Sequence, residues 1–253
     1  AVSCIKYYGI TKGTTESTYS PSDSVARWQM ALFLTRMAVP AGVSLGDGSD
    51  QGFVDIGGKS TEIQTAVNQL KQLGITVGTD AAGTLFDPDG TVTREEMALF
   101  ISRLLKNSAT GPGGNEEFIS GTSGAKEIKS VDPDYNFTDI DEINLTETRT
   151  AVISLWNLGV TDDTTATAYR PSDPMTRAAM AQFMSAGLDH SNARPAGLTI
   201  QADSYLTEAD FMVSLSVTNR TGEFLPVTTS LVDTFMYRHV TTTGHSAFSS
   251  DGS

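Results

Sequence analysis

Three arginines, Arg27, Arg94 and Arg177, each follow an aromatic residue by eight positions: Tyr19, Phe86 and Tyr169. Each arginine opens a stretch with helical periodicity. A helix start presents unpaired N–H groups that favour an anion. An arginine beside it adds a planar fork that grips a carboxylate through two hydrogen bonds. Three such sites would suit an acidic ligand. The same arginines can instead pair with local acids, which are plentiful in a chain with 30 Asp and Glu. Spacing alone leaves both uses open.

Other chemistry is sparse. His190, His239 and His245 lie late in the chain without metal-ligand spacing. Cys4 is the lone cysteine, so no disulfide forms within the chain, and no catalytic partner set surrounds it. The Asp87-Pro88-Asp89-Gly90 stretch hints at a calcium loop, but Ala98 stands where an EF-hand needs its glutamate. Loose structural calcium on acidic loops stays open, and no cofactor is called for. Asn136, Asn144 and Asn219 head glycosylation sequons, a pattern that arises readily by chance in Thr-rich sequence. No Ser–His–Asp set, carboxylate pair or phosphate loop is present, so the chain reads as non-enzymatic.

The elements that must carry the arginines come in three copies. Ala1, Ala66 and Ala151 begin matching blocks that run through Gly-Ile-Thr or Gly-Val-Thr to the aromatic-x-Pro loops. Each copy reads as helix, loop, helix. In copy 2, Ile63, Ala66, Val67, Leu70 and Leu73 recur at helical spacing, and Gly74 supplies the stop. Thr93-Arg94-Glu95-Glu96 fits a capping box, with Met97, Phe100, Ile101, Leu104 and Leu105 as the apolar stripe that follows. The boundaries are 1–39, 53–106 and 137–190, with a long insert loop at 107–136. Phe-x-Asp-Ile precedes copies 2 and 3, at Phe53 and Phe137, but not copy 1. The expectation is that the chain opens inside its first repeat, with Ala1 already in a helix.

After copy 3 the period changes from helical to two. Val213, Leu215 and Val217 alternate with polar residues, and Leu231–Tyr237 is a second strand candidate. Residues 198–253 read as a partial β-domain, too short for an immunoglobulin-like sandwich without further strands from downstream residues or another chain.

The net charge of −13 excludes a phosphate backbone as partner. No run approaches the roughly 18 apolar residues that would span a bilayer.

Phe-x-Asp-Ile, Gly-Ile-Thr, aromatic-x-Pro and Thr-Arg-x-x-Met-Ala, in that order and repeated, resemble the S-layer homology (SLH) domain. The resemblance covers roughly residues 1–190. It implies a mainly α, three-pronged module with pseudo-threefold symmetry. It implies extracellular anchoring to the cell wall through a glycan, often an anionic one, with neighbouring copies in a surface array as further partners. By the same resemblance the glycan-binding residues are Arg27, Arg94 and Arg177, with Asp55, Asp139, Gly13 and Gly78. Copy 3 has Asp163 in place of the loop glycine. The signature acid is read as Glu95, replaced by Trp28 in copy 1 and Ala178 in copy 3, which weighs against ligand binding by those two copies. Two other roles fit the same repeats: the anchor of an extracellular enzyme whose catalytic domain lies elsewhere, and a helical scaffold for protein partners.

Overall fold

The computed structural model describes residues 1–108, 119–122, 125–128, 137–157, 160–161, 167–191, 198–202, 215–219, 237–240 and 246–249. The chain divides into two compact units, Ala1–Arg194 and Pro195–Ser253.

The first unit is mainly helical. Its helices are α1 (Val2–Tyr7), α2 (Arg27–Ala38), α3 (Thr61–Gln72), α4 (Arg94–Asn107), α5 (Thr146–Asn157) and α6 (Arg177–His190). The period-3.6 stripes face inward, and Met30, Leu34, Met97, Ile101, Met180 and Met184 are fully buried in one core. The stripes must meet another helix, and they do so across the copy boundaries. Helix α2 packs on α3, α4 on α5, and α6 returns to α1.

A closed ring of backbone hydrogen bonds joins the loops that precede α2, α4 and α6. Val25 N–H donates to the Met175 carbonyl (2.9 Å), Met175 to Val92 (2.8 Å) and Val92 to Val25 (2.9 Å). All three side chains are fully buried, so each bond lies in a dry interior. A buried amide without a partner costs about as much as a lost hydrogen bond, and the ring leaves none of these three donors unpaired.

The capping box predicted for α4 is complete. Thr93 Oγ1 accepts from Glu96 N–H (3.3 Å), and Glu96 Oε2 accepts from Thr93 N–H (3.0 Å). Its counterparts keep one half each. Ala26 has no side-chain acceptor, so copy 1 retains only Ala26 N–H to Gln29 Oε1 (3.0 Å). Ala179 cannot reach back, so copy 3 retains only Ala179 N–H to Thr176 Oγ1 (3.2 Å). Gly74, at φ +69°, ends its helical stretch where the sequence placed the stop.

The insert at 107–136 is not wholly loop. Helix α4 runs on to Asn107, and β1 (Ile119–Thr122) pairs antiparallel with β2 (Ala125–Ile128). The two residues between these strands in sequence are Ser123-Gly124, a short hairpin signal that the Gly-rich surroundings obscured.

In the second unit β3 (Leu198–Ala202) pairs antiparallel with β4 (Leu215–Asn219), and β5 (Tyr237–Val240) with β6 (Ser246–Ser249). The alternating segment begins earlier in sequence than β4, and Val213 lies outside the described residues. Of the second strand candidate only Tyr237 is described.

Candidate functional site

Each signature arginine is buried and reaches into the next copy. Arg27 Nε donates to the Phe86 carbonyl (2.7 Å), Arg94 Nε to Tyr169 (2.8 Å) and Arg177 Nε to Tyr19 (2.7 Å). Each guanidinium also lies over two aromatic faces. Arg27 covers Phe86 and Phe100, Arg94 covers Tyr169 and Phe183, and Arg177 covers Tyr19 and Phe33. Such a cation desolvated on a ring contributes about 2 kcal/mol.

The helix starts are not open to an anion. Arg27 N–H donates to Gly90 O, Arg94 N–H to Asp173 O and Arg177 N–H to Asp23 O. The next amides, of Trp28, Glu95 and Ala178, donate to Pro88, Pro171 and Pro21. The aromatic-x-Pro loops therefore satisfy the very N–H groups that the sequence offered to a ligand. This corrects the expectation of an anion cradle at the helix start.

The aspartates shape those loops. Asp55 accepts from the amides of Phe86 (2.9 Å) and Asp87 (2.7 Å), and Asp139 from those of Tyr169 (2.8 Å) and Arg170 (2.7 Å). Asp87 and Arg170 sit at positive φ, 56° and 57°, a conformation uncommon for residues with a Cβ. The carboxylate clamp holds them there. Ser20, at the corresponding place in copy 1, takes the same conformation at φ 53°.

Two grooves open beside the Gly-x-Thr loops. The larger, about 420 Å³, is lined by Gly78, Thr76, Val77, Arg27, Glu95, Glu96, Leu99, Phe100, Arg103 and Leu145, among others. The smaller, about 110 Å³, is lined by Lys12, Gly13, Trp28, Gln29, Leu32, Phe33, Arg36 and Arg177. The two are counterparts one copy apart. Gly13 and Gly78 hold positive φ, 87° and 103°. A Cβ on Gly13 would come within 2.5 Å of the Thr15 carbonyl, and one on Gly78 within 2.9 Å of Gly83 Cα. Only glycine permits either turn.

Arg36 and Arg103 also correspond. Arg36 Nη1 donates to Ile10 O (3.3 Å) and its Nη2 pairs with Glu62 (2.8 Å). Arg103 Nη1 donates to Ile75 O (3.1 Å) and grips Glu147 with two bonds, at 2.9 and 2.8 Å. The arginine in each case lowers the carboxyl pKa, chiefly by a hydrogen bond.

The sequence brought forward Glu95 as the signature acid, yet Glu96 engages the arginine. Its Oε1 pairs with Arg27 Nη1 at 2.8 Å. Glu95 has no side-chain partner among the described residues, and burial, then the charge of Glu96, raises its pKa. Lys12, Arg36 and Arg103 were not singled out at all. A signal was present for Arg36 and Arg103, since each follows its signature arginine by nine residues. Among the described residues no group of three His, Cys, Asp or Glu could hold a metal ion. Nor is any helix there long and apolar enough to cross a membrane.

Residues 52–98 match the S-layer homology domain. That stretch holds the Asp55 clamp, the Gly78 turn and the start of α4. The chain thus carries an SLH domain, in general a non-catalytic cell-envelope anchoring module that binds cell-wall polymers. This associates the protein with the cell surface. No curated protein matches the chain.

Proposed function

We propose that residues 1–190 form one pseudo-threefold, three-pronged SLH module that anchors an extracellular protein to the cell wall by holding a glycan in the grooves beside Gly13 and Gly78. The observation that carries this is the SLH match over residues 52–98, which include six of the thirteen residues that line the larger groove. The closed ring through Val25, Val92 and Met175 supports three equivalent copies. The cyclic reach of Arg27, Arg94 and Arg177 supports the same symmetry.

In this role the arginines form groove floors and copy-to-copy ties, and Asp55 and Asp139 set the loops. A hydrophobic wall of Leu99 and Phe100, with exposed Val77 (57%) and Leu145 (66%) at the rim, offers a sugar its apolar face. The strand pairs β3–β4 and β5–β6 of the second unit are then the part that contacts neighbouring copies in a surface array.

The test is co-sedimentation of the 253-residue chain with purified cell wall, before and after extraction of its non-peptidoglycan polysaccharide. Pelleting that extraction abolishes is the expected result. Absence of pelleting, or pelleting unchanged by extraction, overturns the proposal.

A further inference from the structure

Beside each groove one arginine ties two copies together. In the larger groove the near wall is the loop that carries Gly78, and the far wall is the start of α5, with Asn144, Leu145 and Thr148. Arg103, on α4, donates from Nη1 to the Ile75 carbonyl just before that loop (3.1 Å). Its Nε and Nη2 donate to Glu147 on α5 (2.9 and 2.8 Å). One side chain thus commits three nitrogens to two copies. Arg36 repeats the arrangement with one bond fewer, from the Ile10 carbonyl (3.3 Å) to Glu62 on α3 (2.8 Å).

The groove walls follow these bonds. Where Arg103 makes two bonds to its acid, the next copy closes the groove with three residues. Where Arg36 makes one, no residue of α3 lines the groove, which encloses about 110 Å³ against about 420 Å³. Neither glutamate lines a groove itself, and Glu147 stands between Leu145 and Thr148, which do. The side chains of Glu62 and Glu147 are 64% and 50% exposed. A pair with so exposed an acid adds little to global stability. What it fixes is distance, because a guanidinium is a rigid planar fork and an ammonium is not. Lys106 also approaches Glu147, to 4.0 Å, with no bond to the loop among the described residues. In copy 3 the residue nine places after Arg177 is Ala186, which is too short to span two walls.

We propose that Arg103–Glu147 and Arg36–Glu62 are latches that set the width of the two grooves, and that Glu62 and Glu147 are positioning residues that never touch the ligand. This rests on the glycan-anchoring role. A closed latch holds the start of the next copy's first helix against the glycine loop. An open one lets that start move away, while α5 stays packed on α4 through buried residues such as Val152 and Leu155. The Arg103 latch, with two bonds, fixes its groove more firmly than the Arg36 latch fixes its own. Copy 3, with Ala186, has no latch of this kind.

The experiment is co-sedimentation of the 253-residue chain and its variants over a range of purified cell-wall concentrations, with urea unfolding alongside. Glu147→Gln keeps the size of the side chain and removes a charged acceptor that lies outside the lining. It should weaken pelleting about five- to tenfold, the lower range of coupling between linked sites, and leave the urea midpoint near that of the wild type. Arg103→Lys keeps the charge without the fork and should lose as much. Arg103→Gln combined with Glu147→Gln should lose no more than Arg103→Gln alone, since a latch breaks once. Wild-type pelleting by Glu147→Gln overturns the proposal, and so does full rescue by Arg103→Lys. A double variant weaker than Arg103→Gln alone would make Arg103 a ligand contact and overturns it too. So does a urea midpoint that falls in step with pelleting, which marks a merely structural pair. If the wild-type chain itself fails to pellet, the anchoring role falls and takes the latch with it. If the wild type pellets and Glu147→Gln pellets equally, only the latch falls.

Discussion

The Gly13 and Gly78 grooves are two castings of one mould. Both have a glycine turn at positive φ, a second arginine on the loop carbonyl and a signature arginine donated by the preceding copy in the cycle. In one, the arginine is neutralised by Glu96; in the other it is not. A repeat can therefore keep its architecture while its surface chemistry drifts. The arginine–carbonyl tie is the architectural part, and the residues one and two places after the arginine are the variable part.

Removing the arginines should separate the copies most strongly. Arg27→Ala deletes a buried bond to Phe86 O, two ring contacts and the partner of the partly exposed Glu96, and should cost about 3 kcal/mol or more, the sum of a lost buried bond and a desolvated cation–ring contact. Arg177→Ala deletes the bond and ring contacts without an ion pair and relieves an unpaired donor, so it should cost less than half as much. Urea unfolding of both variants checks the order, and equal losses would end the distinction.

The loop clamps come next. Asp55→Ala should cost about 1.5–3 kcal/mol, because two backbone amides lose a charged acceptor. Ser20→Ala, at the counterpart of Asp87 in copy 1, should cost about 0.5 kcal/mol or less. Thermal unfolding separates these values.

A gain is expected from completing copy 1's cap. Ala26 has the extended conformation of Thr93, φ −77° and ψ 154° against −85° and 166°. Ala26→Thr should add about 0.5–1 kcal/mol of stability by accepting the Gln29 amide, read as a raised urea midpoint. No gain would mean that copy 1 already satisfies that amide otherwise.

The smallest effect belongs to Glu95. Burial and Glu96 raise its folded pKa, so its charge weakens the fold as pH rises through the unfolded value of about 4.3 toward the folded one. Glu95→Gln should unfold at slightly higher temperature at pH 7 and lose that advantage below pH 4. A difference that persists at low pH would assign the effect to packing rather than charge.

What the sequence disclosed is what is local. The stripes, the Gly74 stop and the Thr93–Glu96 box depend on residues within one or two turns, and each lies where the sequence put it. The arginines were found by their types, but their partners were not. Phe86 O, Tyr169 O and Tyr19 O are backbone atoms of another copy, and a carbonyl leaves no mark in a sequence. The Val25–Val92–Met175 ring is hidden for the same reason. Trp28 was visible only as a departure from a signature, because its meaning depends on Lys12 and Arg177 sharing its groove. Glu96 was seen as half of a cap, and its second bond, across to Arg27, needed the fold.

The ring has a consequence for how the chain is made. Its closing bond joins Val25 to Met175, residues 150 positions apart in a first unit that runs from Ala1 to Arg194. Contacts this distant form late, since the loop between them must be ordered before the bond rewards it. A chain that emerges amino end first, from a ribosome or an export channel, holds Val25 and Val92 well before Met175 is free. Copies 1 and 2 then wait with their facing stripes exposed, and the module locks in one cooperative step when the third arrives.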